Sequence, residues 1–139
     1  MADPVRMSIE QMRQAAALGA KLECVWLSNL QGPRSHLASM RHWKRVTTQE
    51  YADAIAEVGA EHFVLASDLG QYLNPVHTDG LKAFVIGLRK AGIDQRQIDR
   101  MVQQNPAELL GLPKASKAAA KGQAGRRPAE TPAAGVRCQ

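Results

Sequence analysis

Two short apolar runs, Leu22-Glu23-Cys24-Val25-Trp26-Leu27 and His62-Phe63-Val64-Leu65-Ala66-Ser67-Asp68, hold matching places in this chain. Each follows a helical pattern and a Gly-Ala pair, and the pairs Gly19-Ala20 and Gly59-Ala60 lie 40 residues apart. Strands that alternate with helices at this spacing pair in parallel, through right-handed crossovers. The repeat therefore predicts an α/β fold class built from βα units. A buried parallel strand reads as a continuous hydrophobic run, and the functional groups of α/β sheets sit just past the carboxyl ends of such strands. Asp68 has that position, ahead of the loop Leu69-Gly70-Gln71-Tyr72-Leu73-Asn74-Pro75.

The helices announce themselves through their capping chemistry. Ser8-Ile9-Glu10-Gln11 and Thr47-Thr48-Gln49-Glu50 are capping boxes, in which the first side chain accepts from the backbone of the fourth residue and the fourth reaches back. They predict helices running to about Leu18 and Val58, the second with an apolar stripe of Tyr51, Ala54, Ile55 and Val58. Between the first run and the second helix lies a polar loop, 28–46, with Gly32-Pro33 and the basic residues Arg34, Arg41, Lys44 and Arg45. A third helix is expected from about Asp79 to Ala91, carrying Leu81, Phe84, Val85 and Leu88, and a fourth is capped by Asp94 with Ile98, Met101 and Val102 inside. In Asn105-Pro106-Ala107-Glu108 an Asn cap precedes Pro at the first helical position, ahead of Leu109-Leu110.

Charge separates the chain into two parts. Residues 114–139 hold six of the 18 basic side chains and one of the 13 acidic ones, the whole of the net +5, so residues 1–113 carry 12 of each. This Ala/Lys/Pro-rich tail, with Val136 its only large aliphatic residue, buries too little apolar surface to offset the entropy of ordering and is expected to be disordered. The high pI thus reports the tail and not a charged face, and no specific nucleic-acid site is expected. Two cysteines, Cys24 and Cys138, offer neither a disulfide framework nor a Cys-based zinc spacing. Met1 to Met7 lacks the apolar core of a signal peptide, and no stretch approaches the roughly 18 apolar residues of a membrane span. The expectation is a cytoplasmic protein without a membrane partner.

The segments Val64-Leu65-Ala66-Ser67-Asp68-Leu69-Gly70-Gln71, Asn74-Pro75 and Asn105-Pro106-Ala107-Glu108-Leu109-Leu110-Gly111-Leu112 together resemble the carboxy-terminal part of amidohydrolase-superfamily metal-dependent hydrolases, within that superfamily a poorly characterised group whose last strand ends in Ser-Asp-Leu-Gly-Gln. The resemblance spans about residues 3–113. It implies a partial (β/α)8 barrel: the last two βα units plus C-terminal helices, with Met1 to Ser8 similar to the segment after the sixth strand. In that family an aspartate at the end of the eighth strand binds a catalytic divalent metal, zinc or manganese, and takes the proton from the metal-bound water. By resemblance Asp68 has both the catalytic and the metal-binding role. Such a metal lowers the pKa of its water to roughly 7, which suits hydrolysis of an amide, ester or phosphoester in a small-molecule substrate. The bare alternative is that Asp68 caps the turn starting at Leu69.

The family's His-x-His pair, bridging Lys or carboxylate and mid-barrel histidines have no counterpart in this sequence. A catalytic zinc normally takes three protein ligands, so no cofactor and no metal-dependent activity are expected of this chain alone. Around Asp68, His77 is the histidine best placed to touch substrate; Gln71 and Asn74 could donate to it or form the turn. Glu23 either faces the barrel mouth, toward substrate or ligands, or pairs with a basic neighbour. Parity leaves this open, since an inward Asp68 puts His62, Val64 and Ala66 inside while the 40-residue repeat sets Glu23 beside the outward Phe63. His36 and His42 read as solvated loop residues, Trp26 as packed between strand and helix, and Trp43 as either covering a barrel mouth or lying on the surface. Arg41, Lys44 and Arg45 could attract an anionic substrate or form a solvated face. A rival of another class is a non-catalytic interaction protein that self-associates or binds another chain through open strand edges, with the basic tail tethering an acidic partner.

Overall fold

The computed structural model describes residues 6–25, 31–33, 35, 37–71 and 74–113. The tail 114–139, Trp26, Leu27, Arg34 and His36 lie outside these described residues. The order of elements is α1 (Ile9–Ala17), β1 (Leu22–Val25), α2 (Thr48–Val58), β2 (Phe63–Ala66), α3 (His77–Lys90), α4 (Gln95–Asp99), a π-helical turn (Arg100–Gln104) and α5 (Asn105–Leu109). Both capping boxes form, Ser8 with Gln11 and Thr47 with Glu50, and Asp94 makes a third with Gln97. Helix α3 starts at His77, two residues before the expected Asp79.

Strands β1 and β2 pair in parallel, and among the described residues they are the whole sheet. The register runs Leu22 to Phe63, Glu23 to Val64, Cys24 to Leu65 and Val25 to Ala66. This corrects the repeat-based alignment, which set Glu23 beside Phe63. The 3₁₀ turn Ala60–His62 makes the path from Gly59 into β2 one residue longer than the path from Gly19 into β1. One residue exchanges the two faces of a strand, so Glu23 shares the face of Val64 and Ala66. His62, expected as the start of the strand, belongs to that turn and lies 3.8 Å from the Glu61 carboxylate.

The other face carries the core. Leu22, Cys24, Phe63 and Leu65 pack with Met12 of α1, Tyr51 and Ile55 of α2, Phe84 and Leu88 of α3, and Ile98 and Met101. Each fully buried large side chain contributes about 1.5–3 kcal/mol through removal of apolar surface from water. Tyr51 stands edge-on to Phe84 at 5.2 Å between ring centres, and its hydroxyl donates to Val25 O at 2.6 Å, a partner for the last carbonyl of β1. Helices α2 and α3 meet where Gly87 faces Thr48; a Cβ at Gly87 would lie 2.6 Å from Thr48 Cγ2.

The Asn105-Pro106 segment departs from expectation. Asn105 is not an N-cap: Asp99, Arg100, Gln104 and Asn105 all have right-handed helical backbone, so α4, the π turn and α5 follow one another without a break. Pro106 has no N–H to donate and its ring crowds the preceding turn, and the backbone answers with a wider turn in which Asn105 N–H donates to Arg100 O. The Asn105 side chain is fully buried and donates to Ala60 O (2.8 Å) and Phe63 O (2.6 Å), fastening the last helix to the start of β2. Glu108 of α5 forms a two-pronged pair with Arg100 at 2.9 and 3.0 Å. Among the described residues, no helix is long and apolar enough to cross a membrane.

Candidate functional site

The sheet face opposite the helices ends in a small apolar cluster, where Met40 packs on Val25 and Ala66. Met40 closes the 3₁₀ turn Ala38–Met40 in the loop after β1, so this loop folds back over the carboxyl ends of both strands. From sequence this is a polar loop in which His36 and His42 read as solvated. Its polar residues instead build a scaffold: Gln31 and Ser35 are 1% and 2% exposed, Gln31 Oε1 accepts from Val46 N at 2.9 Å, and Gly32 N donates to Met40 O at 3.0 Å. Met40, an apolar residue flanked by Ser39 and Arg41 within a basic stretch, is the signal the sequence offers.

Two residues beyond Ala66, Asp68 adopts left-handed backbone with φ 45°, a conformation that Asp tolerates better than most residues. Leu69 is buried and anchors the turn, while Asp68 is exposed. The turn closes through side chains: Gln71 Nε2 donates to Asp68 O at 2.7 Å, and Asn74 Nδ2 donates to Gln71 Oε1 at 3.3 Å. Gln71 and Asn74 thus act as turn-formers for Asp68. Gly70 has φ 123°, and a Cβ there would lie 2.8 Å from His77 Cε1 and Nε2. The imidazole of His77, first residue of α3, therefore rests against the Gly70 backbone. One loop gathers Asp68, Gln71, Asn74 and His77.

Glu23 is not in that loop. It is exposed on the same sheet face as Val64 and Ala66, with no ion pair or hydrogen bond to the described residues. The basic-partner role expected for it is not seen among them.

The cationic residues of the loop after β1 divide by partner. Lys44 Nζ lies 2.5 Å from Glu50 Oε1, and Lys44 with the Thr47 cap holds the Glu50 carboxyl below its ordinary value. Among the described residues Arg41 and Arg45 bind backbone alone, Nε to Ser35 O at 2.9 Å and Nε to Gln31 O at 3.1 Å. Half-buried Trp43 lies under the Arg6 guanidinium, 3.8 Å from the ring centre, with exposed His42 edge-on.

A catalytic zinc or manganese needs several convergent donors. No group of three or more His, Cys, Asp or Glu converges among the described residues. The described donors do not by themselves make a metal site. What they offer is an exposed carboxylate on a hydrogen-bonded turn just past a strand's carboxyl end. In comparisons with known proteins, no family model, no curated protein and no solved structure matches the chain.

Proposed function

We propose that this chain is the Asp68-bearing part of a metal-dependent hydrolase of the amidohydrolase type, a partial (β/α)8 barrel whose remaining strands and metal donors come from other polypeptide. One observation carries this reading: β1 and β2 are adjacent and parallel, the described α-helices pack on one face, and Asp68 lies just past the carboxyl end of β2. That is where barrel enzymes keep catalytic groups. In this reading the Asp68 carboxylate accepts the proton of an attacking water during amide, ester or phosphoester hydrolysis, and Gln71 and Asn74 close the turn at the Asp68 backbone carbonyl.

Two preparations test the proposal. The purified chain, supplied with zinc or manganese, is expected to retain no stoichiometric ion and to hydrolyse no chromogenic amide, ester or phosphoester; tight one-to-one metal binding overturns the incompleteness. The assembly isolated from its native source is expected to contain metal and to lose about 10²–10⁴-fold of its hydrolysis rate on Asp68→Asn. An assembly without metal, or one indifferent to that substitution, overturns the hydrolase reading. The outer edges of β1 and β2, unpaired among the described residues, favour a second reading, non-catalytic association through strand edges. It predicts an oligomer without metal.

A further inference from the structure

We propose that Arg41 and Arg45, on the loop after β1, form a phosphate-binding site. The case begins with charge. From Cys24 to Gln49 the chain has no acidic residue, although residues 1–113 as a whole balance acid against base. The flanking Glu50 is engaged by Lys44, which removes both from the account.

Arg41 and Arg45 differ from Lys44 in a way that matters for recognition. Each spends only its Nε, on a backbone carbonyl of the same loop, and has no carboxylate partner among the described residues. Those two carbonyls belong to the buried residues Gln31 and Ser35, and Ser35 N donates to Gly32 O, next in the chain to Gln31, at 2.8 Å. The Arg45 stem lies flat over Gly32, where a Cβ would stand 2.9 Å from Nε and 3.2 Å from Cγ. A guanidinium fixed through Nε keeps its Nη groups for a planar, two-pronged contact with an oxyanion, and little side-chain freedom remains to be lost on binding. Two such groups on one scaffold suit a dianion better than a single carboxylate.

The element also stands in a useful place. Arg41 directly follows Met40, which packs on Val25 and Ala66 at the strand ends, two residues short of Asp68. Joined to the proposed hydrolase, on which this extension rests, the loop makes the substrate a phosphorylated small molecule held beside the reacting carboxylate. The binding itself does not depend on catalysis.

The test is a metal-free titration of the full chain with inorganic phosphate, followed by the ¹⁵N NMR signals of the arginine Nε–H groups, which separate Arg41 and Arg45 from the arginines of the tail. Saturable shifts at both are expected. Arg41→Gln and Arg45→Gln should each weaken binding about tenfold or more, and Arg→Lys at either position should weaken it too, because the Nε anchor is lost. Lys44→Gln should leave affinity within about twofold, since its charge is already answered. Absence of saturable shifts overturns the proposal, and so does equal weakening by Lys44→Gln, which signals general charge attraction. Acetate competing as well as phosphate overturns the assignment to a phosphate group. The wild-type titration decides alone where a variant fails to fold. Because no metal or turnover enters, loss of the hydrolase reading leaves these results unchanged.

Discussion

Asn105 offers the sharpest test of how the fold is fastened. Its side chain is 0% exposed, both amide hydrogens are used on Ala60 O and Phe63 O, and its Oδ1 has no partner among the described residues. Asn105→Ala removes two hydrogen bonds worth about 1 kcal/mol each and opens a small cavity. Ala60 O keeps a second donor, the Phe63 N–H, whereas Phe63 O loses its side-chain donor. Against these losses stands the relief of a buried oxygen without a partner, about 1 kcal/mol. The net expectation is a destabilisation of about 2–3 kcal/mol, or about 10–20 °C in Tm for a folded part of this size.

Asn105→Asp keeps the shape and reverses the chemistry. At neutral pH a buried carboxylate would face two carbonyl oxygens, at a cost of about 3–5 kcal/mol. Burial raises the folded-state pKa of such a group above its unfolded value of about 3.9, so the charge penalty is absent below that value and grows as pH rises through it. Urea unfolding followed by far-UV circular dichroism at pH 3.5 and pH 7 measures both variants. The expected result is that Asn105→Asp is the less stable variant at pH 7 and that the gap narrows in acid. An Asn105→Ala protein within about 0.5 kcal/mol of wild type, or an Asn105→Asp penalty without pH dependence, refutes the assignment of Asn105 as the fastener between the last helix and β2.

Gly87→Ala would ordinarily gain about 1 kcal/mol of helix propensity. Here the new methyl meets Thr48 Cγ2 at 2.6 Å, and a net loss of about 1–2 kcal/mol is expected in urea unfolding; Thr48→Ser in the same protein, by removing Cγ2, should restore most of it. Glu50, with its carboxyl held below the ordinary 4.5 by Lys44 and the Thr47 cap, contributes stability that is present above 4.5 and is lost as pH falls through the depressed folded value. The stability difference between wild type and Glu50→Gln should therefore shrink steadily below about pH 4.5, and a difference that stays constant down to pH 3 would contradict the capping role.

Much of the backbone plan was readable from local chemistry. Ser8, Thr47 and Asp94 each found the partner three residues on that capping demands, because a cap depends on four consecutive residues and little else. The apolar runs became parallel neighbours for a similar reason: their burial follows from composition. The misreadings arose where distance along the chain did not report distance in space. Asn105 has the composition of a cap, and only the arrival of Ala60 O and Phe63 O from more than 40 residues away turns its amide inward. Gln31 looks like one more polar loop residue until Val46 N and the Arg45 guanidinium close on it. At the candidate site the place of Asp68 was visible as the polar end of an apolar run. Gln71 and Asn74 were legible as candidate turn-formers, and their hydrogen bonds to Asp68 O and to each other build that turn.

The placement of Glu23 shows how little separates two functional readings. Were Gly59 to enter β2 as directly as Gly19 enters β1, Glu23 would share the face of Phe63, inside the helix-packed core, where an unpaired carboxylate costs several kcal/mol. The 3₁₀ turn Ala60–His62 adds the residue that prevents this. It sets Glu23 on the open face with Val64 and Ala66 and leaves Leu22 and Cys24 to the core. Asn105 donates to the first residue of that turn and to the first residue of β2. The hydrogen bonds that fasten the last helix therefore grip both ends of the segment whose extra residue sets the parity of the sheet.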